Sequence, residues 1–471
     1  MRKIGDKAAM AAFKTWVAGG LVAALAACGG GGGGAIESLP MSSASAGVSS
    51  TTAAAGTASP SSTATASTAT ASASSAAPAG ALATPATTST VNPATAPSKA
   101  DFQVNTTTAG AQDSGAVARL AGGGFVAVWT SASLSVDTDV RFQRFDAQGN
   151  RAGGETVVAS RSFAPAIAAL PGGGFVISWT TSRSQYEANG HAQVFDATGA
   201  PVGGQIALAA TFYKYVARPA ALPDGGFVVA IESTTGKYGT DYGALARYRA
   251  DGTRVGEPLQ LNADMADTRT GVFNVEVTAL PDGRWAAAWI VVSQGGRQLM
   301  SGVFGANGAP AAAFQTLSAD SSAASPSLAT LANGSTVLAW ESANPAGGRR
   351  IEAQVLDGNG QSIGKRVIAT DAAAATMQPE VAALPSGGFV AAWKALRGVA
   401  ETIDRQVMAQ RFTATGAPVG EAGQIAALHA ELGGTQYTDT LAVTGAAGDG
   451  YLVLLGDFAP ATSWEIRGAL R

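Results

Sequence analysis

The side chains best suited to catalysis are few in this chain and far apart. The 471 residues include two histidines, His191 and His429, and a metal site or a Ser-His-Asp arrangement would need one of them beside other functional groups. The two histidines fall in different copies of an internal repeat, and the position of His191 is taken by Arg141 in the first copy. No HExxH, P-loop or dinucleotide-binding glycine motif is present. We therefore predict no catalytic residue, no metal, no cofactor and no enzymatic activity.

Aspartate and glycine recur together in short segments, at 146–150, 196–199 and 357–360. Such segments can indicate calcium, which is bound by six to eight oxygen ligands. Each segment offers only one or two carboxylates, however, and Thr413 replaces the aspartate in the sixth copy. Asx turns, in which the side-chain oxygen accepts a backbone N–H, explain these segments without a metal. The sequence leaves calcium open.

Most tyrosines fall in segments that vary between copies of the repeat, mainly in the second and third copies. Aromatic rings beside a few charges can stack on a sugar or anchor a protein partner. Local packing of these tyrosines is the simpler alternative. The predicted binding residues are Tyr186, Tyr213, Lys214, Tyr215, Arg218, Tyr238, Asp241 and Tyr242.

One unit recurs seven times between Gly115 and Arg471, and it must position all of these residues. Its first half reads APAIAALPGGGFVISW at 164–179, and its second half reads AQVFDATGAPVG at 192–203. The copies lie 50 to 62 residues apart, and repeats of this length built from strands are typical of β-propellers. Ile231 and Leu455 take the last position of the first half in two copies. A tryptophan occupies it in the other five, at Trp129, Trp179, Trp289, Trp340 and Trp393.

Each copy contains four short segments with strand character. The first ends at a Pro-Gly or Pro-Asp-Gly cluster, where Pro presets φ and Gly supplies the positive φ of a tight hairpin. The second, such as 389–393, is apolar on both faces, as expected of a sheet buried between neighbouring blades. The third leads into another turn, and the fourth is short and less apolar, like an outer edge. We therefore predict an all-β fold, a seven-bladed β-propeller of four-stranded blades.

The two ends of the repeat region indicate how the ring closes. The seventh copy stops at 466–471, which corresponds to a third strand, so its fourth strand is missing. The segment 101–105, upstream of the first copy, is similar to fourth strands such as 258–262. Two unpaired edges would favour aggregation. We therefore predict that strand 101–105 completes the last blade; a chance similarity is the alternative.

About 370 residues of this chain resemble repeats of large bacterial secreted and surface proteins. The motifs that carry the resemblance are an LPxGGFVxxW half and a QRFDAxG half. The resemblance implies a propeller-like repeat domain over 101–471. It carries no catalytic residues over to this sequence and therefore selects no activity.

Residues 1–27 have the pattern of an N-terminal targeting segment. Basic residues come first, and an apolar run from Trp16 to Ala27 follows, which is too short to span a bilayer. The run ends in a lipobox-like LAACG at 25–29, and Cys28 is the single cysteine of the chain. These features resemble the signal peptide of a bacterial lipoprotein, and the resemblance implies cleavage before Cys28 and its lipidation, for example with palmitate. An ordinary secretory peptide is the alternative.

Residues 28–100 are predicted to be a disordered tether behind the lipidated cysteine. The stretch is glycine from 29 to 34 and then almost entirely Ala, Ser, Thr and Pro. Such a composition cannot bury enough apolar surface to offset its ordering entropy. Because Gly29 rather than Asp follows the cysteine, similarity to known lipoproteins favours the outer membrane. Whether the head faces the periplasm or the cell surface stays open.

The charge balance argues against a nucleic-acid partner. Residues 1–27 contain four basic residues and Asp6, so the 30 basic and 33 acidic residues of the whole chain become 26 and 32 after cleavage. Nucleic-acid binding needs a basic surface, which a net charge of −6 does not favour. The predicted partners are the membrane, through the lipid, and an envelope protein or glycan.

These observations predict a lipid-anchored cell-envelope propeller that acts as a non-enzymatic binding or adhesion module. Uniform turns lie on one rim and variable loops on the other, and variable loops on a rigid scaffold usually carry recognition. One alternative is a scaffold for outer-membrane protein assembly. Another is a propeller-type polysaccharide hydrolase or lyase, which would require several acidic or tyrosine residues to converge at the channel mouth. The ligand and the oligomeric state stay open.

Overall fold

The computed structural model describes residues 101–471 except for ten short segments. These are 133–137, 185–186, 213, 235–240, 262–270, 295, 371–373, 398–403, 428–439 and 460–462. The predicted signal peptide, Cys28 and the predicted tether lie outside the described residues, as do Tyr186, Tyr213, Tyr238 and His429.

The strands of the first three blades follow the order of the repeats. A short strand, β1 (Phe102–Gln103), precedes blade 1, which consists of β2 (Ala111–Arg119), β3 (Phe125–Ala132), β4 (Thr138–Phe145) and β5 (Thr156–Ser160). Blade 2 consists of β6 (Ser162–Ala169), β7 (Phe175–Ser184), β8 (Glu187–Phe195) and β9 (Pro201–Phe212). Blade 3 consists of β10 (Lys214–Ala221), β11 (Phe227–Thr234), β12 (Asp241–Tyr248) and β13 (Arg254–Gln260).

The remaining four blades repeat this pattern. Blade 4 consists of β14 (Gly271–Ala279), β15 (Trp285–Ser293), β16 (Gly296–Phe304) and β17 (Gln315–Ser318), and blade 5 of β18 (Ala324–Thr330), β19 (Thr336–Ala343), β20 (Arg349–Leu356) and β21 (Ser362–Thr370). Blade 6 consists of β22 (Ala374–Ala383), β23 (Phe389–Arg397), β24 (Asp404–Phe412) and β25 (Pro418–Ala427). Blade 7 consists of β26 (Leu441–Gly445), β27 (Tyr451–Ala459) and β28 (Ser463–Leu470), with a single 3-10 turn at Ala447–Asp449.

Seven antiparallel four-stranded sheets form a closed ring, which confirms the predicted propeller. Within each of blades 1 to 6 the strands pair in chain order, so the first strand is one edge of the sheet and the fourth strand is the other. Each first strand contacts the first strand of the next blade, and β26 contacts β2. The seven first strands therefore surround a central channel, and the fourth strands lie at the periphery.

The second strand of each blade supplies the core. All residues of β3 and β19 except the last are buried, and Trp129, Trp289 and Trp340 are fully buried. These strands are apolar on both faces because each blade packs against two neighbours. Removing one such large side chain from water stabilises the fold by about 3 kcal/mol.

The predicted N-terminal strand closes blade 7. Strand β1 pairs with β28, with Phe102 opposite Gly468 and Gln103 opposite Arg467. The backbone N–H of Val104 then donates to the carbonyl of Ile466 at 2.8 Å, and Val104 is fully buried. The sheet order β1-β28-β27-β26 thus supplies the fourth strand that the seventh repeat lacks.

The uniform turns form as their residues predict. In blade 1, the N–H of Gly123 donates to the carbonyl of Leu120 at 2.9 Å, and Gly123 has a φ of +87°. A Cβ at Gly124 would lie 2.3 Å from the carbonyl oxygen of Phe145, so a larger residue would separate this hairpin from the adjacent turn.

The part of the chain that the structure describes contains no helix with the length and hydrophobicity of a membrane span.

Candidate functional site in the central channel

A β-bulge recurs at one level of the channel wall. In the described residues it interrupts five first strands, β2, β6, β14, β18 and β22, each next to a non-glycine residue with a φ between 48° and 54°. The five residues are Ser114, Ala164, Asn274, Ser325 and Gln378. A left-handed conformation costs a non-glycine residue about 1 to 2 kcal/mol. Bulges change the direction of the side chains that follow them and are frequent beside active sites.

Seven residues, one from each first strand, form a ring at the level just after the bulge. Each pairs with the residue that precedes the tryptophan position of its own second strand. Blades 3 to 6 carry polar groups at this level, and blades 7, 1 and 2 carry alanine. The ring consists of Ala116, Ala166, Arg218, Glu276, Ser327, Glu380 and Ala442.

Charged groups from blades 3 and 4 are in direct contact in this ring. The Nε of Arg218 lies 3.0 Å from Oε1 of Glu276, and its Nη1 lies 2.8 Å from Oε1 of Glu232. The side chains of Arg218 and Glu276 are 33% and 24% exposed. The contact therefore stays open to the channel but is largely shielded from bulk water.

A second carboxyl group enters the ring from blade 6. The hydroxyl of Ser327 in blade 5 donates to Oε2 of Glu380 at 3.0 Å. The same hydroxyl accepts the backbone N–H of Val381 at 3.0 Å. Glu380 and Arg218 occupy the same level of their first strands, with blades 4 and 5 between them in the chain, and the Arg218 charge lowers the pKa of Glu380.

Both carboxyl groups have pKa values near neutrality. Burial raises the pKa of Glu276 from 4.5 to about 8; Arg218 lowers it, but Glu380 and Glu232 raise it further. Burial also raises the pKa of Glu380 to about 7, against the lowering effect of the Ser327 hydrogen bond and of the Arg218 and Lys394 charges. Two like charges in one enclosed space oppose each other's ionisation. At neutral pH Glu276 and Glu380 therefore hold a proton between them, whereas two solvent-exposed glutamates would both be ionised.

The arrangement can perform general acid–base chemistry. A carboxyl group that is protonated at neutral pH can donate a proton, and a neighbouring carboxylate can accept one. Perturbed pKa values in a cleft are a physical indicator of a functional site. A propeller-type hydrolase or lyase requires acidic residues to converge on the channel, and Glu276 and Glu380 lie at one level of its wall.

The structure places the predicted binding residues at several locations. Arg218 lies in the channel ring, whereas Tyr242 packs against the apolar cluster between blades 2 and 3. Lys214 and Tyr215 belong to β10, the strand that carries Arg218, and Asp241 begins β12. The other three tyrosines lie outside the described residues, and a binding role for the whole set stays a prediction.

The acidic turns contain the hydrogen bonds of Asx turns. Oδ1 of Asp196 accepts the backbone N–H groups of Thr198 and Ala200 at 2.8 and 2.9 Å. These bonds, with the Thr198 hydroxyl as the largest contributor, lower the pKa of Asp196. Oδ1 of Asp357 accepts two backbone N–H groups in the same way.

Across the part of the chain that the structure describes, no three His, Cys, Asp or Glu side chains are grouped so that they could hold a metal.

Glu276, Glu380 and Glu232 are not among the residues predicted from the sequence. A usable signal was present, because the ring residue always lies four positions before the residue that begins the first turn, as Glu276 does before Leu280 and Glu380 before Leu384. Aligning the copies on that residue shows three charged side chains in a column that is otherwise Ala or Ser. A search for contiguous motifs misses this column, since its members lie in different repeats.

Comparisons with known proteins bear on the fold. No protein-family model and no curated protein sequence matches the chain. A protein of unknown function from Dyadobacter fermentans is similar over 79% of this chain and 97% of its own, with 10% identity and a TM-score of 0.45. An α-L-arabinanase from Penicillium chrysogenum in complex with arabinobiose matches over 66% and 93%, with 12% identity and a TM-score of 0.42. A polysaccharide lyase, an ulvan lyase with bound substrate, matches over 79% and 98%, with 9% identity and a TM-score of 0.43.

These comparisons correct the prediction of function. The prediction of a non-enzymatic binding or adhesion module, and with it the prediction that the chain is not an enzyme, is contradicted, because the solved structures similar to this chain include an arabinanase, an arabinofuranosidase and two polysaccharide lyases. At 9–12% identity the likeness shows the fold alone. It assigns no residue and no substrate to this chain.

Proposed function

We propose that this protein is a propeller enzyme that cleaves a polysaccharide by acid–base catalysis in its central channel. The observation that supports this proposal is the convergence of Arg218, Glu276 and Glu380, from blades 3, 4 and 6, at one level of the channel. Burial raises the pKa of both carboxyl groups toward neutrality. This suits acid–base catalysis, because its groups work best when their pKa values lie close to the working pH.

The two carboxyl groups have different roles in this proposal. Glu276, with the higher pKa, is the general acid that gives its proton to the leaving glycosidic oxygen. Glu380, with the lower pKa, is the general base that takes a proton from the attacking water in a hydrolase, or from the sugar carbon in a lyase. Exchange with channel water then restores both protonation states. Ser327 orients Glu380 through its 3.0 Å hydrogen bond.

The rest of the ring carries small side chains. Blades 7, 1 and 2 present Ala442, Ala116 and Ala166 at the level where blades 3 to 6 present longer side chains. The predicted binding tyrosines become sugar subsites in this proposal. Tyr215 precedes Arg218 by three residues in β10, so the strand that enters the channel also carries one of these tyrosines.

Attachment to the cell envelope forms a separate part of the proposal. We propose that Cys28 is lipidated, that residues 28–100 are a tether and that the propeller is held at the outer membrane. The lipobox-like segment at 25–29 and the single cysteine support this proposal. An enzyme held in this way would act on polysaccharide at the envelope or on chains that reach it.

The test is an activity screen with matched variants of the full chain. Purified protein is incubated with a panel of neutral and acidic polysaccharides. Reducing ends report cleavage, and the ultraviolet absorbance of an unsaturated product separates lyase from hydrolase chemistry. Glu276→Gln and Glu380→Gln should each reduce the rate by roughly 100-fold or more. Glu257→Gln is the control, because Glu257 lies on an outer strand and is 86% exposed.

The pH profile provides a second measurement. The rate requires ionised Glu380 and protonated Glu276, so it should be highest between about pH 7 and about pH 8. Cleavage that survives in both Gln variants would show that the channel carboxyl groups are not the catalysts. Failure of the wild-type chain to cleave any substrate in the panel would contradict the proposed function.

A further inference from the structure

Glu232 connects the two blades that supply Arg218 and Glu276. It lies in β11, directly after Ile231, which takes the tryptophan position of the third repeat, and its side chain is 9% exposed. Its Oε1 accepts Arg218 Nη1 at 2.8 Å and the backbone N–H of Val275 at 2.8 Å. One buried oxygen atom thus holds a side chain of blade 3 and the main chain of blade 4.

These contacts form a closed circuit around the candidate acid. Val275 is the residue before Glu276, and Glu276 Oε1 lies 3.0 Å from the Nε of Arg218. The guanidinium therefore contacts Glu232 through Nη1 and Glu276 through Nε, while Glu232 also holds the peptide that leads into Glu276. Arg218 cannot turn away from one carboxyl group without affecting its contact with the other. A planar, rigid guanidinium is well suited to this task.

We propose that Glu232 is a positioning residue that fixes Glu276 against Arg218, by bridging the Arg218 guanidinium and the blade 4 bulge. It does not reach the substrate. Its importance for catalysis rests on the proposed function of Glu276, but the geometric role can be tested without any substrate. Charge-assisted hydrogen bonds of this kind are short and directional, so the loss of the charge should alter the whole circuit.

Blade 5 contains a similar device, which binds the bulge that precedes Glu380 rather than the bulge that precedes Glu276. Glu341 occupies the repeat position of Glu232, directly after Trp340, and is buried. Its Oε1 accepts the backbone N–H of Gln378 at the blade 6 bulge at 2.8 Å. Its other oxygen contacts Arg349, a residue of the third strand β20 rather than of the channel ring. Glu341 is therefore a control for the burial, the backbone bond and the charge of Glu232.

The circuit has an electrostatic consequence for Glu276. The negative charge of Glu232 raises the pKa of Glu276, whereas Arg218 lowers it. If Glu232 becomes neutral, the repulsion disappears and Arg218 is free to pair with Glu276 alone. Both changes favour the ionised form of Glu276. A neutral residue at position 341 leaves the effects of Glu232 and Arg218 on the pKa of Glu276 in place.

The test is a carboxyl titration by carbon-13 NMR on the glutamate-labelled full chain. Glu276→Gln identifies the Glu276 signal by its disappearance. Glu232→Gln should lower the pKa of Glu276 by about one pH unit or more, and Glu341→Gln should leave it unchanged. Arg218→Gln should shift it in the opposite direction, because it removes the positive partner. This third variant keeps the test usable if Glu232→Gln does not fold.

Equal pKa values of Glu276 in the Glu232→Gln and Glu341→Gln variants would overturn the proposal, since Glu232 would then be structural only. A lower or unchanged pKa in Arg218→Gln would also overturn it. The titration is independent of activity. A chain that cleaves no polysaccharide but shows these opposite shifts would refute the proposed function and keep the positioning role.

Discussion

Glu276→Gln should change how the stability of the propeller depends on pH. The folded protein holds the Glu276 proton more tightly than the unfolded chain does, because burial in the channel raises its pKa to about 8. This contribution to the free energy of unfolding is complete below about pH 4.5, the ordinary value, and is lost as the pH rises through about 8. Glutamine has the shape of the protonated acid and does not titrate.

The magnitude follows from the two pKa values. A rise from 4.5 to about 8 corresponds to roughly 5 kcal/mol, at 1.36 kcal/mol per pH unit. Water reaches about a quarter of the side chain, since 24% of it is exposed, and this screening reduces the expected effect to about 3 kcal/mol. The variant should equal the wild type near pH 5 and exceed its stability by about 3 kcal/mol near pH 9.

The assay is urea unfolding at several pH values between about 5 and 9, followed by the fluorescence of the buried tryptophans. Glu257→Gln serves as the control, because Glu257 lies on an outer strand and its side chain is 86% exposed. A wild-type stability that stays constant over this range would refute the reasoning, as would a Glu276→Gln curve parallel to the wild type. Glu276 would then be ionised at neutral pH and could not donate a proton.

Three further predictions concern the ring closure and the membrane anchor. Deleting residues 1–105 should lower the free energy of unfolding by about 3 kcal/mol or more relative to deleting 1–100, because it removes the buried Val104 and the β1 pairing; equal melting temperatures would contradict this. Burial raises the pKa of Glu155, but hydrogen bonds from Thr106 and Thr107 outweigh this effect and hold it at about 2. Glu155→Gln should therefore destabilise the fold by about 2 kcal/mol at pH 7, with a loss that shrinks as the pH falls through about 4 toward 2 in thermal melts. Cys28→Ser should release the chain from membranes into the soluble fraction, and retention after a carbonate wash would contradict the lipid anchor.

The sequence alone determined the architecture, because the relevant information is local and repeated seven times. Proline and glycine turns, a doubly apolar second strand and a tryptophan at a fixed position define a blade. The missing fourth strand of the last copy and the surplus segment at 101–105 defined the closure, and β1 pairs with β28 as expected. Asx-turn chemistry was also predictable, since each aspartate bonds to main-chain atoms within four residues of itself.

The candidate site was decided by the tertiary structure. Arg218 and Glu380 lie in blades 3 and 6, and only the closed ring places them at one level of one channel. Their pKa values depend on burial and on charges from other blades, and neither can be read from neighbours in the sequence. Local motifs therefore could not reveal this group of residues, because its members lie in different repeats. A propeller can distribute its acid, its base and their positioning residues over separate repeats, because every first strand faces the same axis.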